Sequence, residues 1–345
     1  MRRFCCGEND SFSSVVGIDR TFNLGPCFVT VTEYTNHSVV RTDSRTSPTF
    51  VGPMYLHWDG KYQTYVDILT DLRAALEGGV HSTELRVSEN LVFGSDEEKA
   101  LTKALHEVFR EATYLLCVKH LKDNATDYMR NKCGVQQTVR TRLIARMFGD
   151  AGILNANDSV DFERQADDLA GECERVSAQL GDHFARHIRP AIQKCVFEPR
   201  QQHQWLRRRW NTNACESINH VLKLSVNWQP RRLPDLVECL HKVVEMQMAD
   251  LRRALHSHGN FEVTPPFGKF VVADSVWQSM SAEDKDAHVA SFVAYRPRQA
   301  ATSTTVTSTN GVLTVPVTKR IATKPGQRKR PRAERAAPSR KRRAQ

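Results

Sequence analysis

The sequence predicts an α/β fold in which a mixed sheet is flanked by helices, with an all-helical insertion and a disordered basic C-terminal tail. Three observations lead to this fold class. Residues 11–134 alternate strand-like and helix-like runs. Residues 135–204 carry helical patterns without a strand signal. From 296 onward the chain is rich in Thr and Ser and then in basic residues, Pro and Gly, which is the composition of a disordered segment.

The predicted sheet lies in the first third of the chain. Residues 13–18 and 27–34 are β-branched and apolar and are separated by Gly25-Pro26, which favours a hairpin. The run at 65–76 has apolar residues at helical spacing and ends at a Gly-Gly pair, and 97–109 is amphipathic with the same period. Further strands are predicted at Thr49–His57, 84–93 and 113–117.

Helical patterns dominate the second half of the chain. One amphipathic helix is predicted near 139–148, an acidic one over 161–188, and another from Pro234, a favourable first-turn residue, to about Leu255. The predicted organisation is an N-terminal stub (1–10), the first part of the core (11–134), the helical insertion (135–204), the C-terminal core helices (205–258), an extension (259–295) and the tail (296–345).

The charge of the chain is concentrated in its tail. The formal net charge is +10, yet twelve of the 49 Lys and Arg residues lie in 319–343 with one acid, Glu334. The remaining 37 basic and 38 acidic residues nearly balance, so any nucleic-acid contact by the folded part requires a local patch. The chain shows neither a signal peptide nor an apolar run long enough for a membrane span, so we expect its nine cysteines to be reduced.

Three acids stand at positions suited to a metal site. Asp19 follows the apolar run V-V-G-I, Asp96 ends a strand just before a helix, and Glu216 lies near the start of a later helix. Two acids on strands and one on a helix can converge at one edge of a sheet, as in an RNase H-like fold. Carboxylate oxygens suit Mg²⁺ or Mn²⁺, and two such ions can catalyse phosphodiester cleavage.

Other interpretations of these acids remain open. Ser95-x-x-Glu98 reads as a capping box, which would make Asp96 a first-turn acid, and Asn213-x-x-Glu216 reads as a similar cap. Asp59 is a competing acid, although its D-G pair favours a turn.

Two further motifs flank these acids. Cys117 and His120 form a C-x-x-H pair that is either part of the site or a buried thiol with a hydrogen-bonded histidine. A W-L-R-R-R-W segment precedes Glu216, and its arginines are suited to phosphates. The alternative is a tryptophan pair in the core with solvated arginines between them. The DNA-binding residues predicted from this segment are Arg207, Arg208, Arg209 and Trp210.

These motifs, taken in order, resemble those of Mutator-like element (MULE) transposases. G-I-D-R-T-F resembles the family's first-Asp strand, S-D-E-E-K-A-L its second-Asp helix, and T-N-A-C-E-S-I-N its third-acid helix, with C-V-K-H between the last two. The resemblance covers roughly residues 11–225. It implies an RNase H-like DDE core in which Asp19, Asp96 and Glu216 bind Mg²⁺ or Mn²⁺. It also implies auxiliary roles for Cys117, His120, Asn213 and Asn219.

The resemblance also implies a reaction and its partners. The reaction is DNA hydrolysis and strand transfer at transposon ends. The partners are double-stranded DNA, as terminal repeats and as target, and a second copy of the chain when DNA is bound. Family members usually carry a DNA-binding module before the first-Asp strand, which here begins within about fifteen residues of Met1. We therefore expect a truncated copy or an element remnant retained by its host.

Basic clusters in the tail indicate nuclear import. They comprise Arg328, Lys329, Arg330, Arg340, Lys341, Arg342 and Arg343. A disordered basic arm can also bind DNA non-specifically. Two alternatives to an active nuclear transposase stay open: a catalytically inactive transposase-derived DNA-binding protein, and an unrelated nuclear protein whose acids cap helices.

Overall fold

The computed structural model describes residues 1–6, 12–77, 90–96, 98–203, 205–206, 210–297, 307–309 and 312–314. The strands are β1 (Val16–Thr21), β2 (Phe28–Thr35), β3 (Val39–Arg41), β4 (Thr49–His57), β5 (Val92–Ser95), β6 (Thr113–Leu116), β7 (Phe261–Val263), β8 (Thr307–Thr309) and β9 (Val312–Thr314). The α-helices are α1 (Arg2–Cys5), α2 (Tyr62–Glu77), α3 (Lys99–Val108), α4 (Val118–Asn131), α5 (Gln137–Phe148), α6 (Ser159–Val176), α7 (Ala178–His183), α8 (Arg189–Ile192), α9 (Glu198–Gln202), α10 (Asn213–Ser225), α11 (Leu233–Ala254), α12 (Asp274–Ser279) and α13 (Ala282–Ala294).

A five-stranded mixed sheet forms the centre of the fold. Its strand order is β4-β2-β1-β5-β6. The pairs β1–β2 and β2–β4 are antiparallel, whereas β1–β5 and β5–β6 are parallel, so only β2 runs against the other four. The predicted mixed sheet flanked by helices is confirmed. The β-branched and apolar runs set its strands, with Thr49–His57 at its predicted bounds.

Each face of the sheet is covered by its own pair of helices. Alternate residues of β1, among them Ile18, pack with α2 and α3 in one core cluster. Residues of β2 that point the other way, including Val29 and Val31, pack with α10 and α11 in another. The period-2 alternation of the strands therefore separates two hydrophobic layers, and it places α10 over the face that carries the side chain of Asp19.

The segment from α4 to α9 packs around a third cluster that includes Met129, Leu143, Phe162 and Phe184. Residues 137–202 form helices and turns without strands, as the apolar periodicity predicts. The prediction of one continuous helix over 161–188 is wrong. Ser177 is extended, with φ −166° and ψ 130°, so α6 ends before it and α7 begins after it.

Several strand and helix limits differ from the predictions. Strand β1 begins three residues later than the run at 13–18, because Ser14 uses its backbone N–H to bond the carbonyl of Phe4 in the N-terminal turn. Strand β5 begins at Val92, and the part of the predicted strand at 84–89 lies outside the described residues. The short ladder of β3 with β7 was not predicted, because each strand has three residues, too few for a periodic signal.

In the tail beyond residue 297 the structure describes residues 307–309 and 312–314, which form β8 and β9. These strands pair antiparallel, which differs from the disorder predicted for these residues. The disorder predicted for the other residues from 298 onward lies outside the described part of the chain. The threonines and valine of β8 and β9 flank an Asn310-Gly311 dipeptide, the strongest short-range hairpin signal. None of the described helices is long and apolar enough to cross a membrane.

A glycine of the central sheet, Gly94, is closely packed, whereas a glycine of the helical insertion, Gly171, has open space around it. A Cβ added at Gly94 would lie 2.3 Å from Cζ2 of Trp210, whereas one added at Gly171 in α6 would meet no atom within 4 Å. We predict that Gly94→Ala lowers the free energy of unfolding by about 1–3 kcal/mol through overpacking. Gly171→Ala, the matched control, should raise it by about 0.5–1 kcal/mol because alanine favours the helix. Urea denaturation measures both values, and a neutral Gly94→Ala would contradict the close packing of Trp210.

Candidate metal and phosphodiester site

The pairing of β1 with β5 brings two of the predicted acids together. Val16 pairs with Phe93 and Gly17 with Gly94. Asp19 lies two residues beyond Gly17, and Asp96 lies two residues beyond Gly94, directly after β5. Residues two apart on a strand share a face, and neighbouring strands lie about 4.8 Å apart. The register therefore sets both carboxylates side by side on the face covered by α10.

Helix α10 reaches the site through one face. Nδ2 of Asn219 donates a hydrogen bond to Oδ2 of Asp19 at 2.7 Å, and the backbone N–H of Arg20 donates to Oδ1 at 2.8 Å. Glu216 lies three residues before Asn219, on the same side of the helix. The third predicted acid is therefore one helical turn from the residue that holds Asp19.

The electrostatics of Asp19 reflect this crowding. Burial and the negative charge of Asp96 raise its pKa from 3.8 to about 6, against the opposing effects of the two hydrogen bonds and the nearby His120. A half-buried carboxylate beside a second carboxylate is costly to ionise. The charged form of Asp19 would be stabilised by a cation bound between the two acids.

The first turn of α4 closes the site on the side of Glu216. Nζ of Lys119 donates to Oε1 of Glu216 at 2.9 Å, and both side chains are about half exposed. His120 follows in the same turn and acts electrostatically on Asp19. The C-V-K-H motif thus contributes the Lys119 ammonium group, which contacts Glu216, and the His120 imidazole, which lies near Asp19.

Cys117 positions this turn against the start of α10. Its buried Sγ accepts a hydrogen bond from the backbone N–H of Thr212 at 3.3 Å and lies 3.4 Å from the Thr212 hydroxyl. The N–H of Val118 donates to the carbonyl of Trp210 at 3.4 Å. Cys117 therefore fixes the segment that leads into α10, and with it the placement of Glu216.

Small residues leave room for the layer above the sheet. The ring of Trp210 packs directly over Gly94, partly buried against Val92 and Leu115. A Cβ at Gly17 would lie 2.0 Å from Oε1 of Glu33, a buried acid of β2. The packing of Trp210 against Gly94, Val92 and Leu115 supports the interpretation of this tryptophan as part of the core.

The capping interpretations of the acids differ from the geometry. Helix α3 begins at Lys99, so Ser95 is not its N-cap, and the Ser95 hydroxyl donates instead to the carbonyl of Asp96. Oδ1 of Asp96 accepts the backbone N–H of Glu98 at 3.2 Å, a local turn that leaves its second oxygen available. The capping-box prediction for Ser95 and Glu98 is therefore wrong.

Three more acids and amides near the site are explained by local contacts. Glu98 is paired with Arg20 at 3.2 Å and accepts the Tyr65 hydroxyl at 2.8 Å. Asp59 accepts bonds from Thr64 and from the backbone of Lys61, as expected for a turn. Asn213 begins α10, is exposed, and donates its backbone N–H to Asn211. Since Asn213 is the first residue of α10 and not its N-cap, it does not form a capping box with Glu216.

Two buried polar atoms at the site have no hydrogen-bond partner. Within the described part of the chain, Oδ1 of Asn219 and Nδ1 of His120 are both of this kind. Buried polar atoms are rarely left unpaired, so each indicates a ligand or water at the site. With the carboxylates of Asp19, Asp96 and Glu216, they supply mostly oxygen donors, the donor set that Mg²⁺ and Mn²⁺ prefer. The donor chemistry of these residues therefore suits such an ion.

The three carboxylates do not form a closed cluster. Among the described residues, the one group of three His, Cys, Asp or Glu side chains whose ligand atoms all lie within 4.8 Å of one another is His256, His258 and Asp274. Glu216 is paired with Lys119 at 2.9 Å. The three carboxylates therefore lie around one face of the sheet without all being within 4.8 Å of one another.

Some predicted residues lie outside the described part of the chain. They are Arg207, Arg208 and Arg209, and the tail residues Arg328, Lys329, Arg330, Arg340, Lys341, Arg342 and Arg343. Conversely, two residues near the site were not predicted from the sequence. Lys119 occupies an unspecified position of the C-x-x-H motif, so the motif gave no reason to select it. Glu33 lies within a β-branched strand and belongs to no motif. Burial raises the pKa of Glu33 to about 7.

No protein-family model matches this chain, and a search of the curated proteins gives no match. What the site does must therefore be argued from its residues and their geometry.

The raised pKa of Asp19 predicts that removing its charge increases the stability of the fold at neutral pH but not at low pH. Its folded-state pKa of about 6 lies above 3.8, so ionisation opposes folding above pH 6, and this penalty disappears as the pH falls towards 4. We expect Asp19→Asn to stabilise the metal-free protein at pH 7.5 by about 1–3 kcal/mol and to have little effect at pH 4. Urea denaturation in the presence of EDTA measures the difference.

Asp59→Asn is the control, and we expect it to change the stability at pH 7.5 in the opposite direction. Hydrogen bonds from Thr64 and Lys61 lower the pKa of Asp59 to about 2, so its ionised form stabilises the fold at neutral pH. This variant should be less stable than the parent protein at pH 7.5. An Asp19→Asn protein that is no more stable than the parent at pH 7.5 would show that Asp19 ionises without penalty.

Proposed function

We propose that this chain is the RNase H-like catalytic core of a MULE-type DDE transposase, which cleaves DNA at transposon ends and joins it to target DNA with Mg²⁺ or Mn²⁺. The sheet order supports the fold assignment, since one antiparallel strand among four aligned strands, with helices on both faces, is the arrangement of an RNase H-like core. The site supports the activity, because Asp19 and Asp96 lie on one sheet face and the helix that carries Glu216 contacts Asp19, although almost 200 residues separate the first acid from the last.

One observation carries the proposal. Asp19 and Asp96 occupy equivalent positions on neighbouring parallel strands, and Asn219 of the third-acid helix bonds Asp19 at 2.7 Å. Acids that only cap helices would not be expected to lie side by side at the ends of neighbouring strands with an amide of a third element bonded to one of them. Burial first, and the negative charge of Asp96 second, raise the pKa of Asp19, which supports an interaction between the two acids.

Each residue has a role in this mechanism. Asp19, Asp96 and Glu216 would hold the metal ions, which activate the attacking oxygen and stabilise the leaving oxygen of the phosphodiester. Asn219 orients the Asp19 carboxylate by its hydrogen bond, and Cys117 fixes the entry into α10. Lys119 would be free to contact a phosphate oxygen if a metal ion took its partner Glu216.

The partners and location follow from the same proposal. Double-stranded DNA, as terminal repeats and target, would lie across the sheet edge near the W-L-R-R-R-W segment. A homodimer would pair two DNA ends, and the basic tail would direct the chain to the nucleus. The alternative is a catalytically inactive, transposase-derived nuclear protein that binds DNA. It is favoured by the separation of the three carboxylates, which do not lie within 4.8 Å of one another.

DNA cleavage tests the proposal directly. The full chain would be incubated with Mg²⁺ or Mn²⁺ and labelled duplex DNA that carries the terminal repeats flanking its gene. We expect metal-dependent nicking that falls by at least about a thousandfold in Asp19→Ala, Asp96→Ala and Glu216→Ala, since metal coordination supplies several kcal/mol of transition-state stabilisation. Asp59→Ala, which removes an acid outside the site, should retain the activity.

The pattern of loss separates the three candidate functions. Absence of nicking with salt-sensitive DNA retention would identify the inactive DNA-binding relative. Absence of both would leave the unrelated nuclear protein. Nicking that survives any of the three acid substitutions would contradict the assigned triad.

The ion pair of Lys119 with Glu216 makes a separate prediction on metal affinity. A bound ion must take Glu216 from Lys119, so Lys119→Met should tighten Mn²⁺ binding by about 2–5-fold, the modest effect expected for an exposed pair. Isothermal titration without DNA measures this. Lys122→Met, which removes an exposed lysine one turn along α4, is the control and should leave the affinity unchanged. Unchanged binding in Lys119→Met would show that the pair does not compete with the metal.

A further inference from the structure

A second cluster of metal-ligating side chains lies away from the carboxylates, where α11 meets the C-terminal extension. His256 and His258 follow α11, and Asp274 is the first residue of α12. Nδ1 of His256 lies 2.8 Å and Nε2 of His258 lies 3.1 Å from the same oxygen, Oδ1 of Asp274. All three ligand atoms are within 4.8 Å of one another.

We propose that His256, His258 and Asp274 form a binding site for a divalent transition-metal ion, with Zn²⁺ as the expected occupant. Nitrogen and carboxylate oxygen donors are the set that zinc accepts, whereas Mg²⁺ and Ca²⁺ prefer oxygen alone. Three protein ligands leave a fourth tetrahedral position for water. This site is independent of the proposed transposase activity.

The distances are close to those of a zinc site. Two ligands at 2.0–2.2 Å from a tetrahedral ion lie about 3.3 Å apart. The two nitrogen–oxygen separations here, 2.8 and 3.1 Å, need to open by only a few tenths of an ångström. The atoms that would face the ion are therefore already gathered around one point.

The backbone holds the two histidines in place. Ser257, between them, has φ 62°, a left-handed conformation that non-glycine residues rarely adopt. The N–H of His258 donates to the carbonyl of Arg253 at 2.9 Å and closes the end of α11. The ring of His256 stacks on Trp277, with centroids 5.0 Å apart and an interplanar angle of 9°. The first ligand is thus oriented before an ion binds.

Asp274 is positioned by a separate contact. The N–H of Val272 donates to the carbonyl of Leu255 at 2.9 Å, which sets the chain before α12 alongside the end of α11. Two nearby cations are paired with acids, since Arg252 pairs with Asp286 at 2.7 Å and Arg253 pairs with Asp250. A third, Lys285, has its Nζ 6.0 Å from the centroid of the Trp277 ring. The two arginine pairs reduce the positive charge that a bound cation would meet.

An ion here would act as a structural clip. It would join the end of α11 to α12 and close the loop that contains β7 and the buried Phe267. Closing a loop and binding only the folded chain both stabilise the native state. The alternative is a carboxylate that merely accepts two histidine N–H bonds and caps the helix, and the experiment must distinguish the two.

Zinc titration of the metal-stripped full chain tests the site. We expect one tight equivalent by isothermal titration, a rise in the unfolding temperature, and Co²⁺ absorption without a thiolate charge-transfer band, since no cysteine belongs to the group. His258→Gln and Asp274→Asn should each lower the zinc affinity by more than roughly 10–100-fold, which is the loss expected when a residue that only hydrogen-bonds to a metal ligand is removed.

Two controls separate this site from the others. His241→Gln removes an exposed histidine that pairs with Glu245 at 3.3 Å in the same helix, and it should leave zinc binding unchanged. Asp19→Ala combined with Asp96→Ala should also retain it, whatever the outcome of the DNA cleavage experiment. A tight equivalent that persists in both His258→Gln and Asp274→Asn, or no zinc binding by the parent chain, would overturn the proposal and leave a hydrogen-bonded cap.

Discussion

The site depends on one side-chain contact that spans 200 residues of sequence. The Asn219 amide donates to the Asp19 carboxylate at 2.7 Å and so joins helix α10 to the first strand. In the orientation that forms this bond, Ile218 and Leu222 of α10 are buried with residues of β2. That orientation also points Glu216 towards the turn that carries Lys119. The metal-binding hypothesis, the position of the third acid and the role of the C-x-x-H motif all follow from how α10 lies on the sheet.

This helix can approach the sheet because the face beneath it is lined with small residues and unusual acids. Gly17 leaves room for the buried Glu33 side chain, and Gly94 leaves room for the ring of Trp210. Among the described residues, the hydrogen-bond partner of the Glu33 side chain is the Cys215 thiol, at 3.7 Å, and burial favours the neutral form of Glu33 and raises its pKa to about 7. Glu33 is therefore partly protonated at neutral pH, which reduces its negative charge under α10. Asp19, next but one along β1 from Gly17, has a pKa of about 6 and is mostly ionised at neutral pH, so a bound cation would stabilise its charged form.

The spacing of apolar residues predicted the sheet, its helices and the helical character of the insertion, because these segments are long enough to show a strand or helix period. It did not predict the three-residue pair of β3 and β7 or the break at Ser177, since both depend on tertiary contacts. The acids and their convergence at one sheet edge were predicted from ordered motifs, but the contacts that bring them together were not. The approach of Asp19 to Asp96 rests on the parallel register of β1 with β5, which the sequence does not encode locally. The interaction of Lys119 with Glu216 was hidden for the same reason, as 97 residues separate its partners.

The two proposed metal sites differ in donor chemistry, and this difference has a consequence for selectivity. The acids on the sheet offer oxygen, so a transition metal gains little there over Mg²⁺, whereas the two histidines after α11 favour zinc. A chain with both sites can hold zinc as a structural ion while the sheet site exchanges Mg²⁺ or Mn²⁺. The two are physically linked, because α11 packs beside α10 in the layer over the sheet and ends at the histidines. A zinc clip at the end of α11 would thus stiffen the support of the helix that carries Glu216, without contributing a ligand to the reaction.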